Sequence, residues 1–255
     1  MAFYELVFSA TGRTLKAAQI VSGVWEAPKI QVDLSQKDFD GASLRLCAED
    51  VCLVAAGIYG GRIPQPAAEN LAAIAGNGAK AILMAVYGNR AVDDGLAELQ
   101  DILTKQGFSC AAAIEAVAEH SMMPRFGAGR PDDEDRAELR AFAEKIKTAL
   151  AEEKSHPVQV PGKAPEGTSS GKLPLSIQTD KTCKACGKCA ELCPMGAISK
   201  ENPRVTDRDK CILCMRCTSL CPSHARHLPG WSRILTPLMA SKLGGRKENK
   251  LYLPQ

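Results

Sequence analysis

The chain has 255 residues, which suits one large domain or two smaller ones and is ample for a packed core. With 45% hydrophobic and 24% charged residues it has the balance of a soluble globular protein, and no run approaches the roughly 18 uninterrupted apolar residues of a membrane span. The net charge of +3 divides unevenly: residues 1–150 hold 15 Lys and Arg against 20 Asp and Glu, a balance of −5, while residues 151–255 hold 17 against 9, a balance of +8. Two electrically unlike halves suggest two domains able to dock, and the basic excess is too scattered and too poor in aromatics for a nucleic-acid surface. The start, Met-Ala-Phe-Tyr-Glu-Leu-Val-Phe, has neither the basic region nor the apolar run of a secretory signal. A cytoplasmic location is therefore expected, where cysteines are more often metal ligands or catalytic groups than disulfides.

Residues 3–150 alternate strand-like and helix-like segments. Phe3–Phe8 predicts a strand, followed by a helix from Thr14 to about Val24 and a second strand at Ile30–Leu34. Asp50–Ala56 predicts a third strand and Pro66–Ala75 a helix; Ala79–Tyr87 a fourth strand and Val92–Gln106 an amphipathic helix; Ser109–Val117 a fifth strand. Pro131–Glu153 closes the series as a charged helix, with proline in its first turn and acidic residues just after. Such alternation argues for a parallel sheet covered by helices on both faces. Cys52 and Cys110 fall inside strands and, with Cys47 nearby, are expected to be structural thiols.

Residues 1–153 thus form a first domain. Residues 154–179 read as an extended linker, with Pro157, Pro161, Pro165 and Pro174 among Gly162, Gly167 and Gly171. Residues 180–230 form a second domain built on an internal repeat: a shift of 28 positions carries Cys183, Cys186, Cys189 and Cys193 onto Cys211, Cys214, Cys217 and Cys221. The basic tail 231–255 mixes Ile234, Leu235, Leu238 and Met239 with lysines and arginines, and predicts a helix packed on the first domain.

Each repeat reads C-x2-C-x2-C-x3-C-P. Three thiolates at this spacing can wrap one face of a cubane cluster, and the fourth must come from elsewhere. Structural zinc uses paired C-x2-C knuckles and has no use for a third cysteine in register, and disulfides disagree with the expected compartment. Residues 175–230 resemble bacterial-type two-cluster ferredoxins, whose cysteine spacing this is. The resemblance implies two [4Fe–4S] clusters with crossed ligation: Cys183, Cys186, Cys189 and Cys221 for one, Cys211, Cys214, Cys217 and Cys193 for the other. One departure stands out. The first Cys-Pro is followed by Met-Gly-Ala-Ile, the second by Ser-His-Ala-Arg, so His224 and Arg226 replace apolar residues beside a cluster, with a consequence for its potential.

The first strand ends in Ser9-Ala10-Thr11-Gly12-Arg13-Thr14. Short hydroxyl residues and a glycine at a strand-to-helix turn make an anion cradle, strengthened by the helix N-terminus. Neither a Walker motif nor G-x-G-x-x-G is present. The loop resembles the flavodoxin loop that binds the phosphate of FMN. Two more loops, Ala56–Pro64 and Tyr87–Asp93, look like those that flank an isoalloxazine ring. The resemblance therefore implies FMN contacts from Ser9, Thr11, Gly12, Arg13 and Thr14 to the phosphate. It implies contacts from Gly57, Tyr59, Gly60, Gly61, Tyr87, Gly88, Asn89 and Asp93 around the ring. Arg62 and Arg90 are placed to hold anionic flavin or to meet the other domain.

From residue 3 to 230 the chain resembles flavodoxin–ferredoxin fusion proteins. The resemblance implies a flavodoxin-like, doubly wound, five-stranded parallel α/β sheet joined to a small α+β ferredoxin domain. It further implies an electron carrier that links two [4Fe–4S] clusters and FMN and serves a partner redox protein, with no catalytic acid or base. Two alternatives remain open at this point: a flavin-dependent reductase with His120 as proton donor, and a flavin-free docking or redox-sensing module. Oligomeric state is open, and a homodimer is allowed.

Overall fold

A computed structural model describes residues 2–152, 157–164 and 173–254. The first domain runs β1 (Phe3–Phe8), α1 (Arg13–Ser22), β2 (Lys29–Asp33), β3 (Val51–Gly57), α2 (Gln65–Ala72), β4 (Lys80–Tyr87), α3 (Gly95–Lys105), β5 (Ser109–Val117) and α4 (Asp133–Ala151). The five expected strands form in order, within one or two residues of their expected bounds. Pro131 lies just outside α4 rather than in its first turn; Asp132 is the N-cap and exchanges capping-box bonds with Asp135.

The strand order is β2-β1-β3-β4-β5, all parallel, with Phe3 opposite Lys29 and Val51, and Lys80 opposite Val51 and Ser109. This is the flavodoxin-like doubly wound order, which places a ligand crevice beyond the carboxyl ends of the strands. Alternate strand residues feed two cores. Leu6, Phe8, Val54, Leu83 and Tyr87 pack under α2 and α3. Phe3, Val7, Leu53, Ile82 and Met84 pack under α1 and α4. β3 is buried along its whole length, as a central parallel strand must be. Cys52 and Cys110 are buried in it and in β5, as expected of structural thiols, whereas Cys47 is exposed in the loop before β3.

Within the expected linker, residues 157–164 lie along the first domain, whereas Gln178–Thr179 already form a strand of the second. Val158 is buried and donates its N–H to the carbonyl of Cys110 at 3.0 Å, and the N–H of Lys163 donates to Asp94 Oδ1 at 3.1 Å. Residues 154–156 and 165–172 of the expected linker lie outside the described residues.

The second domain opens with β6 (Gln178–Thr179), passes through the one-turn helices α5 (Lys188–Glu191) and α6 (Arg216–Ser219), and closes with β7 (Arg226–His227). β6 and β7 pair antiparallel, Gln178 opposite His227, so the two ends of the repeat are stitched together.

The tail departs from its expected form. It makes short helical turns, including α7 (Leu235–Leu238) and α8 (Ala240–Leu243), and then β8 (Lys250–Tyr252). β8 joins the first domain's sheet antiparallel to β5, Glu115 opposite Lys250, so the sheet has six strands rather than five. Buried Glu115 accepts the Tyr252 hydroxyl at 2.8 Å and pairs with Lys250 at 3.2 Å. The chain therefore leaves the first domain, builds the second and returns to the first. Among the described residues no helix is long and apolar enough to cross a membrane.

Candidate redox centre

The internal repeat extends to the backbone. Left-handed residues recur at the 28-position shift: Ala185 and Leu213, Gly187 and Met215, Gly196 and His224. His224 thus occupies a position where its counterpart is glycine, and holds φ 49°. These turns aim amides at sulfur. The N–H of Ala197 lies 3.3 Å from Cys193 Sγ, and that of Ala225 lies 3.4 Å from Cys221 Sγ, again one repeat apart.

Cys193 leaves the other cysteines of its motif and turns toward the second. Cys193, Cys211, Cys214 and Cys217 line one small cavity, with Ile177, Ile198 and Met215 around them. Burial pushes the Cys214 thiol up to about 12, and the nearby Cys217, Cys193 and Cys211 push in the same direction. A cationic iron core relieves this repulsion on binding the thiolates, so the donor set fits a cluster. Among the described residues no three His, Cys, Asp or Glu side chains are arranged to hold a single metal ion. A cubane spreads its sulfurs wider than one ion does. In the first motif Cys186 is exposed and Cys183 and Cys189 are half-buried, so this end of the domain faces solvent.

Beyond the carboxyl ends of the sheet lies a cavity of about 770 Å³, within the roughly 300–1,000 Å³ range of cofactor sites. Of the residues expected to contact FMN, Thr11, Arg13, Thr14, Gly57, Tyr59, Gly60, Tyr87 and Gly88 line it. The other five are not among its lining residues. Ser9 Oγ accepts the N–H of Leu15 at 3.0 Å and so holds the first turn of α1. Gly12 turns the chain into that helix at φ 83°. Gly61 backs onto Asp93, which is salt-bridged to Arg90. Asn89 is buried and donates its amide to the carbonyls of Leu243 (2.6 Å) and Gly245 (2.8 Å), so it clamps the tail.

Several charges and hydroxyls are already engaged. Arg13 pairs with Glu119, and Arg62 grips Glu98 with bonds of 2.7 and 2.9 Å. The Tyr87 hydroxyl donates to the carbonyl of Glu248 at 3.1 Å, away from the cavity. Tyr59 stands edge-on to Phe8 at 6.3 Å; burial, then the neighbouring Cys214, raise its hydroxyl well above the usual range. A side chain expected beside the ring thus packs against the same core cluster that contains Cys214.

Two further parts of the wall lie outside the three expected loops, the first of them holding His120, the proton donor of the reductase alternative. One is Glu119–Met122 after β5. Within it the Nδ1 of His120 accepts the N–H groups of Met122 (3.2 Å) and Met123 (3.3 Å), leaving Nε2 to carry the ring proton. The other comes from across the domain boundary: Leu173–Leu175, Arg208 and Cys211–Leu213. Cys211 therefore lines both the small thiol cavity and the large one. The domains are held together beside it by Arg216, which bonds the carbonyl of Ser9, the Ser35 hydroxyl and Asp33.

Residues 182–225 match the 4Fe-4S dicluster domain family. No curated protein matches the chain. Solved structures similar to it include a flavodoxin of Streptococcus pneumoniae strain TIGR4 (21% identity, TM-score 0.40), which covers 58% of this chain and 99% of its own. Flavodoxin 2 from Bacillus cereus (12%, TM-score 0.42) and an archaeal flavodoxin (12%, TM-score 0.39) each cover 58% of this chain and 99% of their own. Strand order and register establish the first fold independently of these likenesses. The chain joins a flavodoxin-like α/β fold to a 4Fe–4S dicluster domain, an arrangement with an electron-transfer role.

Proposed function

We propose that the protein passes electrons between two [4Fe–4S] clusters and one FMN, and serves a partner redox protein. Cys183, Cys186, Cys189 and Cys221 hold the first cluster; Cys211, Cys214, Cys217 and Cys193 hold the second. FMN occupies the large cavity. The clusters exchange single electrons and FMN stores one or two when bound.

The observation that carries this reading is the double placement of Cys211, in the wall of the thiol cavity and of the large cavity at once. A flavin seated there meets the second cluster across one stretch of chain. The rest is positioning. The turn Thr11–Thr14 offers hydroxyls and helix-start amides to a phosphate. Gly57, Gly60 and Gly88 leave room for a ring system, and Tyr59 lines the cavity while packing against the core cluster that contains Cys214. Arg216 and β8 bracket the second domain, so the distance between the two centres is set by the fold. The exposed first motif is the entry for electrons from a partner.

The test is titration of FMN into flavin-depleted, iron-loaded protein, followed by flavin fluorescence. One FMN should bind per chain with its emission quenched. Absence of saturable binding would overturn the flavin half of the proposal.

A further inference from the structure

Arg226 opens β7 in the heart of the cluster domain and is 3% exposed. Its Nη1 donates to the carbonyl of Pro203 at 2.6 Å and lies 3.8 Å from Cys189 Sγ; its Nη2 donates to the Thr206 hydroxyl. Nε has no hydrogen-bond partner, and both oxygen partners are neutral. A cation buried without an anion is unfavourable, and such charges are ordinarily paired or given up. Arginine cannot give up its proton. The compensating anion must come from the groups around it.

Those groups are thiols from both motifs. Cys189 belongs to the first motif, and Thr206, which accepts the Nη2 bond, lines the small cavity with Cys193, Cys211, Cys214 and Cys217. The repeat sharpens the point. The 28-position counterpart of Arg226 is Ile198, buried and apolar, in the wall of the thiol cavity. The domain therefore carries one guanidinium where its own symmetry calls for a second aliphatic side chain.

We propose that Arg226 is a fixed counter-charge shared by the two clusters, which raises the reduction potential of both. Adding an electron makes a thiolate-ligated cluster more anionic, and a nearby fixed cation stabilises that state more than the oxidised one. Serving both clusters, it lifts the pair together and keeps electron exchange between them close to balanced. It acts through the thiolates and is a positioning residue. The inference rests on the two-cluster reading.

The test is an EPR-monitored redox titration of the intact protein beside Arg226→Gln and Arg226→Lys, with iron and sulfide assayed on each sample. In Arg226→Gln with full iron, both potentials should fall, each reduction equilibrium by at least tenfold, or 59 mV for one electron. Arg226→Lys should restore most of the loss. Unchanged potentials, or a fall in one cluster alone, would overturn the proposal. Should Arg226→Gln lose iron, retention by Arg226→Lys supports a need for the charge, and loss by both variants refutes it. Fewer than eight iron in the unaltered protein would refute the two-cluster reading itself, and this inference with it.

Discussion

Arg216, which stands between Cys214 and Cys217, donates from Nη1 to the carbonyl oxygen of Ser9 across 3.3 Å. The same guanidinium pairs with Asp33 at 3.3 Å. Ser9 follows β1 and Asp33 ends β2, so a residue embedded in the second motif is anchored to the carboxyl edge of the sheet. Arg216→Ala should destabilise the iron-loaded protein by about 1.5–3 kcal/mol, the usual scale for hydrogen bonds to a charged group. Denaturant unfolding measures this. Electron exchange between clusters and flavin should slow in the same variant. Lysine should rescue poorly, because one ammonium cannot reproduce a planar fork.

Asp135 ties the tail to the first domain. It is fully buried, pairs with Arg130, and accepts from Asn249 at 3.0 Å. Burial alone pushes its carboxyl up, but the bonds from Arg130 and Asn249 outweigh it and hold the group below the usual carboxylate range. The unfolded chain therefore takes up this proton first as pH falls. The stabilisation is complete above about pH 4 and is lost as pH drops through the folded value. Asp135→Ala should destabilise by about 3–5 kcal/mol, because Arg130 is left buried without its anion. It should also flatten the acid limb of a stability-versus-pH curve.

His120 answers to pH at a higher range. Burial, then the charges of Arg13 and Arg90, lower its pKa below the ordinary value of 6.5. The folded protein keeps the ring neutral while the unfolded chain binds a proton, so stability should decline as pH falls below about 6.5. His120→Gln should remove that part of the decline, as read from denaturation midpoints between about pH 7 and pH 5. An unaltered slope would mean the ring does not stay neutral.

Crossed ligation has a spectroscopic signature. Cys193→Ala lies in the first motif, yet it should abolish the same cluster as Cys214→Ala, leaving about four iron and matching EPR spectra in the two variants. Loss of a different cluster in each would assign Cys193 to its own motif instead.

The sequence carried what is encoded locally. β1 and β5 form over the expected residues, because strands buried on both faces are mostly apolar runs. The cysteine spacing that pointed to a dicluster domain was legible because it is local in the chain, and residues 182–225 match that family. β8 was not: three residues have no period, and their partner edge exists only once β5 is in place. Its one trace was Glu115, a carboxylate in an otherwise apolar strand that needed a partner from elsewhere. Asn89 looked like a ring contact from its loop, but its amide goes to the returning tail, which no local pattern reveals. The Cys211–Leu213 wall of the large cavity follows from docking between the halves and was likewise invisible to motifs.

The most direct measurement is iron, acid-labile sulfide and released flavin on one anaerobically purified sample. The two-cluster flavin reading predicts about eight iron, about eight sulfide and one FMN per chain. Eight iron with no FMN, even after incubation with excess FMN, would contradict the shared-wall cavity as a flavin site. Zinc in place of iron would contradict the clusters themselves.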